Sequence, residues 1–392
     1  MQVLFRVKPN LDLRCEILTC PDLPGYVLRV TVEKTSEVHQ TSDGSVFQRY
    51  GAQSIRVKDP EKIMELSFSK GAASFEDQSL PETSPELIVD SAVLAQFLNE
   101  YSPKTDPLEF CINQNLFTYK EWTPKVCAVL LFTLNPASFM PKKCSVKISR
   151  YETKEDEAER EHLAHQETID LPLYELIQKT VDVVSGIISG VKVITPDGLK
   201  KMEYPREAIW ETTVNAIIHR DYSISDDIQI VIYDNRLEIL SPGRLPGYVN
   251  VQNILEARYA RNPKLVRTLN RYPNPPNKDM GEGLNTTFQK MKEWGLRAPE
   301  ICEEGNYVKV LLPHIPLASP SESILDYLKR NADITNANAR DITGIKSENK
   351  MKTEFYRLRD LKLIEKVPGK KGAKSAWRLT SRGKQEIQKT ES

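Results

Sequence analysis

The sequence predicts a mixed α/β protein: an α/β sandwich over residues 166–316, an α+β region ahead of it, and a small helical module at the end. Three observations predict it. Residues 204–219 read as an amphipathic helix, residues 228–233 and 237–240 as two short strands across an Asp234-Asn235-Arg236 turn, and residues 322–379 as three helices followed by two strands.

The helix carries the chemistry. Pro205 suits a first helical turn, where its missing N–H costs nothing, and Trp210, Val214, Ile217 and Ile218 form an apolar stripe at helical spacing. On the other face Glu207, Glu211, Asn215 and His219 recur every four residues, so two carboxylates, an amide and an imidazole climb one side. Such a helix is built to line a pocket. One turn apart, an amide oxygen at Asn215 can hold a hard cation while the Glu211 carboxylate reaches a water beside a phosphate. His219 falls at the helix end, where an imidazole bound to the last carbonyls is favourable on dipole grounds.

The second strand leads into Ser241-Pro242-Gly243, then an irregular Asn- and Pro-rich stretch to Asp279. Gly281-Glu282-Gly283-Leu284 opens a further helix marked by Leu284, Phe288 and Met291, and a glycine-rich turn at a helix N-terminus is a phosphate cradle in principle. Within the irregular stretch Arg258, Arg261 and Lys264 are cations able to meet a terminal phosphate or a second subunit. The run Tyr307 to Leu312 supplies a closing strand.

Glu211-x-x-x-Asn215 resembles the first nucleotide-binding box of the GHKL ATPases, and the order helix, hairpin, glycine turn, lid-like loop, second glycine turn, helix and strand is similar to theirs. More narrowly, Tyr204-Pro205, NAIIHRDYS (215–223), RLEILSPGRLP (236–246), Arg261-Asn262-Pro263 and Gly281-Glu282-Gly283-Leu284 resemble the divergent GHKL domain labelled "RecG-like C-terminal" in bacterial and archaeal transcriptional regulators. The resemblance implies a GHKL/Bergerat-like sandwich that binds ATP and Mg²⁺. Asn215 would hold the metal, Glu211 would polarise the attacking water, and Ser241, Gly243, Gly281 and Gly283 would contact the cofactor. It departs at Ser241, where the wider class carries an Asp that reads the adenine amino group. The resemblance also leaves room for slow ATP hydrolysis and a homodimer. Helicase activity is not expected: there is no P-loop, since GKKGAKS (369–375) lacks the Lys directly after its second Gly. The other reading is a DNA- or partner-binding scaffold with a vestigial pocket.

A length of 392 residues suggests two or three domains, and 40% hydrophobic with 28% charged residues is ordinary for soluble chains. No apolar run is long enough to span a bilayer, the first residues lack a signal-peptide core, and six cysteines without metal spacing suit reduced thiols. A cytoplasmic protein is the expectation. Residues 1–60 read as short strands ending in VFQRYGAQSIRV, which resembles the end of a Schlafen AlbA-type domain, with Arg49 and Arg56 as candidate phosphate contacts. Only the back half of such a domain is visible. Residues 61–165 read as a connector: a linking stretch to residue 85, a helix from Glu86 to Tyr101, a buried strand from Val126 to Leu134 and a second strand from Ser145 to Tyr151.

From Ser321 onward the chain holds 17 Lys and Arg against 10 Asp and Glu, a net of +7 in a chain whose charges balance overall, so the rest carries −7. Its order of elements reads as a winged helix-turn-helix over residues 317–392, with DNA as partner. Lys350, Lys352, Arg357 and Arg359 would serve the third helix, and Lys370, Lys371 and Lys374 the wing. Clustered cations of this kind give affinity for phosphates rather than a choice of bases.

Overall fold

The computed structural model describes residues 7–19, 25–155, 159–195, 198–277, 283–314, 320–343, 345, 347–370 and 375–384. The chain divides into two compact units, Met1–Ile315 and Pro316–Ser392.

The first unit is built on a six-stranded mixed sheet: β1 Val146–Tyr151, β2 Leu163–Ile169, β3 Ile228–Ile232, β4 Arg236–Pro242, β5 Glu300–Glu304 and β6 Tyr307–Pro313. Their spatial order is β5-β6-β4-β3-β1-β2. Every pairing is antiparallel except β3 with β1. The pleat sorts the side chains. Ile148, Ile230, Ile239 and Val310 lie in register across four strands, and the first three are buried. On the opposite face Glu238 accepts from Arg236 Nε at 2.6 Å and pairs with Lys309 at 3.1 Å.

The helices of this unit include α1 Val126–Phe132, α2 Leu173–Gly190, α3 Arg206–Ile218, α4 Pro263–Leu269 and α5 Gly283–Glu293. α2 packs on β1 and β2, α3 packs on β4, and α3 is flanked by α2 and α5. One hydrophobic core runs through them, from Ile88 to Leu312.

Several expectations change. Residues 126–132 form a helix rather than a strand, with all seven buried. An unbroken apolar run carries no period, so strand and wholly buried helix look alike until the neighbours are known. The helix expected over 86–101 is two, Glu86–Val89 and Ala92–Tyr101, because Ser91 turns extended and accepts a hydrogen bond from Val93 N at 3.1 Å as an N-cap. The linking stretch before residue 85 contains an unforeseen helix, Pro60–Lys70, capped by Asp59 and closed by Gly71 in the left-handed region. The run 46–57 folds into a hairpin, Val46–Tyr50 with Gln53–Val57, and 13–19 pairs with 26–32 in another. Of the first expected strand, 3–7, only Val7 lies within the described residues.

The second unit holds α6 Pro320–Arg330, α7 Asn336–Thr343 and α8 Glu348–Asp360, with strands β7 Ile334–Thr335, β8 Ile364–Lys366 and β9 Ala376–Leu379 in the order β7-β9-β8. Ile324, Leu328, Ile334, Met351, Phe355, Leu358 and Trp377 form its core.

Candidate functional site

α3 is fixed at both ends and along one side by groups far away in sequence. Tyr204, just before it, donates to Leu312 O at 2.7 Å on β6. Ser241 Oγ on β4 donates to Ala216 O at 2.7 Å. At the C-terminus the buried Asn262 amide donates to Ile218 O and Arg220 O at 2.9 and 2.8 Å, satisfying carbonyls that a helix end leaves open. The buried side of α3 is Ala208, Ile209, Thr212, Thr213, Val214, Ala216, Ile217 and Ile218. Trp210 is not part of that stripe: it is half-buried beside the cavity and donates from Nε1 to Pro276 O at 2.8 Å.

The other face of α3 forms one wall of a cavity of about 940 Å³, lined among others by Glu207, Glu211, Asn215 and His219, as the four-residue spacing predicts. That volume suits a nucleotide-sized ligand. Ser241, Gly243 and Gly283 also line it. Gly281 lies outside the described residues.

At Gly283 the start of α5 packs against α3. A Cβ there would stand 2.5 Å from Glu211 Oε2 and 3.3 Å from Asn215 Nδ2. The glycine therefore leaves a cradle between a helix N-terminus, a carboxylate and an amide. Asn215 Nδ2 is buried without a hydrogen-bond partner. An unsatisfied buried amide costs free energy and calls for a reason, and turning it over presents its oxygen at the same place. These residues fit a phosphate-bound divalent cation. Among the described residues no cluster of three His, Cys, Asp or Glu could hold a metal alone, so phosphate oxygens and water would complete the shell.

Farther along α3 the chemistry changes. The hydroxyl hydrogen of Ser241 is committed to Ala216, leaving lone pairs to accept one donor. Gly243 has φ +114°, and a Cβ would meet Asp221 Cβ at 2.6 Å, so this glycine serves close backbone packing. His219 caps α3 by position, but Asn262 binds the carbonyls. Desolvation first, then Arg261, push the imidazole down to about 4. It is neutral at pH 7, so the expected cationic role at the helix dipole is replaced by a neutral ring facing the cavity.

The three cations of the loop divide in the same way. Arg261 is buried, pairs with Asp221 at 3.0 Å and donates to Phe68 O at 2.7 Å. Lys264 pairs with Asp77, while its backbone N–H and that of Leu265 donate to the buried Glu76 at 2.8 and 2.9 Å. Both are structural. Arg258 is exposed and lines the cavity with Arg206 and Arg244. The loop itself is held from outside: Lys34 Nζ donates to Leu245 O and Val249 O at 2.6 and 2.9 Å, Gly247 N to Lys70 O at 2.9 Å, and Tyr259 Oη to Gly71 O at 2.5 Å. Nothing local in the sequence marks Lys34 or Tyr259 for this task. Arg261-Asn262-Pro263 does stand out, and its three residues make an ion pair, a helix cap and a helix start.

Residues 225–312 match the family model described as "Putative ATP-dependent DNA helicase recG C-terminal". That match supports a GHKL-like ATPase region and nucleotide binding. It begins after α3, so Glu211 and Asn215 rest on geometry. Among curated proteins none matches the sequence. A crystal structure of the DIP2311 protein from Corynebacterium diphtheriae is 18% identical, with 99% of this chain and 79% of that chain covered at a TM-score of 0.47. No helix among the described residues is long and apolar enough to cross a membrane.

The candidate DNA contacts lie in the second unit. Lys350, Lys352, Arg357 and Arg359 are all exposed on α8, and Lys370 is exposed after β8. Lys352 pairs with Glu348 at 2.8 Å, Arg359 with Asp360 at 2.7 Å and Lys370 with Asp333 at 2.6 Å. Lys371 and Lys374 lie outside the described residues.

Proposed function

We propose that the protein binds ATP with Mg²⁺ in this cavity and uses the occupied state to control a DNA-binding regulatory activity, in transcription or genome defence. The observation that carries the proposal is the meeting of Gly283 with Glu211 and the unpartnered Nδ2 of Asn215, inside a cavity whose further walls match an ATPase family model. In this reading Asn215 turns its oxygen to the cation and Glu211 orients a water for slow hydrolysis. The N-terminus of α5 faces the phosphates, and Ser241 accepts from the adenine amine. Mg²⁺, when bound, neutralises phosphate charge and bridges its oxygens. Pro316–Ser392 would act as a winged helix. Lys350 and Arg357 flank one side of the exposed face of α8 and Lys352 and Arg359 the other, so they suit phosphates on two groove walls, with Asn349, Thr353 and Tyr356 between them.

Titration calorimetry of ATP with Mg²⁺ into the full chain and into Asn215→Ala tests it. Because Nδ2 makes no hydrogen bond, the alanine chain should keep its unfolding temperature while losing ATP affinity by at least about tenfold. If the folded parent chain takes up no nucleotide, the reading is wrong. The scaffold reading would then stand, favoured by Arg261 being tied to Asp221 and the Ser241 hydroxyl to Ala216.

A further inference from the structure

The hairpin Leu13–Thr19 with Tyr26–Val32 has two unlike faces. Pairing in register puts Leu13, Cys15, Ile17, Thr19, Tyr26, Leu28, Val30 and Val32 on one side, apolar but for Thr19, and Arg14, Glu16, Leu18, Val27, Arg29 and Thr31 on the other, where Arg29 and Glu16 form an ion pair beside the exposed Leu18 and Val27. In a sheet this is the pattern of one buried face and one wet face. Yet Ile17 is 68%, Tyr26 73%, Leu28 55%, Val30 48% and Val32 51% exposed. The two strands pair only with each other, and the core of the unit begins far along the chain, at Ile88. An isolated two-stranded hairpin is marginal in water. Apolar faces of this size on a monomer mark an interface.

We propose that this face is a dimerisation surface, and that its occupant is the same face of a second copy of the chain, packed sheet on sheet. Two observations choose a second copy. The face bears no charge in either strand, so it offers no complement to a charged partner, whereas a two-fold axis makes any apolar surface its own complement in composition. Its area also suffices. Five side chains about half exposed amount to on the order of 600 Å² per copy, and two copies reach the low end of specific interfaces, about 1,200 Å². The ion pair of Glu16 with Arg29 then stays on the wet outer face. The surface is distinct from the cavity, so nucleotide binding and dimerisation can fail separately.

Sedimentation velocity on the full chain at about 50 μM is the test, with 44.7 kDa as the mass of one copy. The parent chain should sediment at twice that mass, Leu28→Asp combined with Val30→Asp should return it to one, and Glu16→Gln with Arg29→Gln should leave the dimer intact. Alkylation of the exposed Cys15, read on its peptide by mass spectrometry, needs no variant: the rate should fall about tenfold between 1 and 100 μM chain by mass action. A parent chain that stays single, or a Cys15 rate independent of concentration, overturns the proposal and leaves the face to a different partner.

Discussion

Gly283 shows how one absent atom makes a site. Its missing Cβ is the space beside Glu211 Oε2 and Asn215 Nδ2, and the group an alanine would displace is the tip of a flexible side chain rather than backbone. Gly283→Ala should therefore leave the unfolding temperature within about 2 °C of the parent, while weakening ATP by on the order of tenfold. Calorimetry beside a thermal melt separates the two effects. His219 makes a prediction of opposite kind. Its folded value, about 4, lies below the ordinary 6.5, so between these values the unfolded chain binds more protons and stability rises with pH. The contribution is complete above pH 6.5 and is lost as pH falls toward 4, by about 1–3 kcal/mol. Urea unfolding at pH 4.5, 5.5 and 7.0 should show this slope, and His219→Gln should flatten it.

Among the elements, the C-terminus of α3 is closed by the residues that follow the cavity loop. Asn262 binds its last carbonyls, and the neighbouring Arg261 is fixed by Asp221 at 3.0 Å with both side chains 3% exposed. Removing one partner of such a pair leaves a buried charge uncompensated. Asp221→Ala should cost about 3–5 kcal/mol, and Arg261→Met combined with Asp221→Ala should cost less than the single change. Urea unfolding of the three chains checks the order. Much at this level was legible in the sequence. The every-fourth-residue file on α3 lines the cavity, and β3, β4 and β6 fall where alternating residues place them. What was not legible is what depends on distant partners. Val126–Phe132 reads as a strand because burial on all sides erases its period, and His219 reads as a charged cap because nothing local shows Asn262 already in place. Pro60–Lys70 is different: its Asp-Pro start and Gly end were visible, and polar residues between them hid the helix.

For the whole molecule the question is how an occupied cavity is felt elsewhere. Within Met1–Ile315 the loop over the cavity is tied to Lys34, which lies between the two N-terminal hairpins, and to the end of helix Pro60–Lys70. In the proposed reading, the exposed cations of α8 in Pro316–Ser392 would supply a separate, electrostatic readout. Each phosphate contact releases counterions, so the logarithm of affinity falls with the logarithm of salt by about 0.9 per contact on duplex DNA. Lys350→Ala with Arg357→Ala should thus lower that slope by about 2 and weaken all sequences alike, because these two lie on one flank of the exposed face rather than at its centre. Fluorescence anisotropy of full-length protein on two unrelated duplexes at 50–200 mM salt measures it. A slope unchanged by the double substitution would take α8 out of the DNA interface, and a slope unchanged by ATP would show that the cavity and the DNA-binding unit act independently.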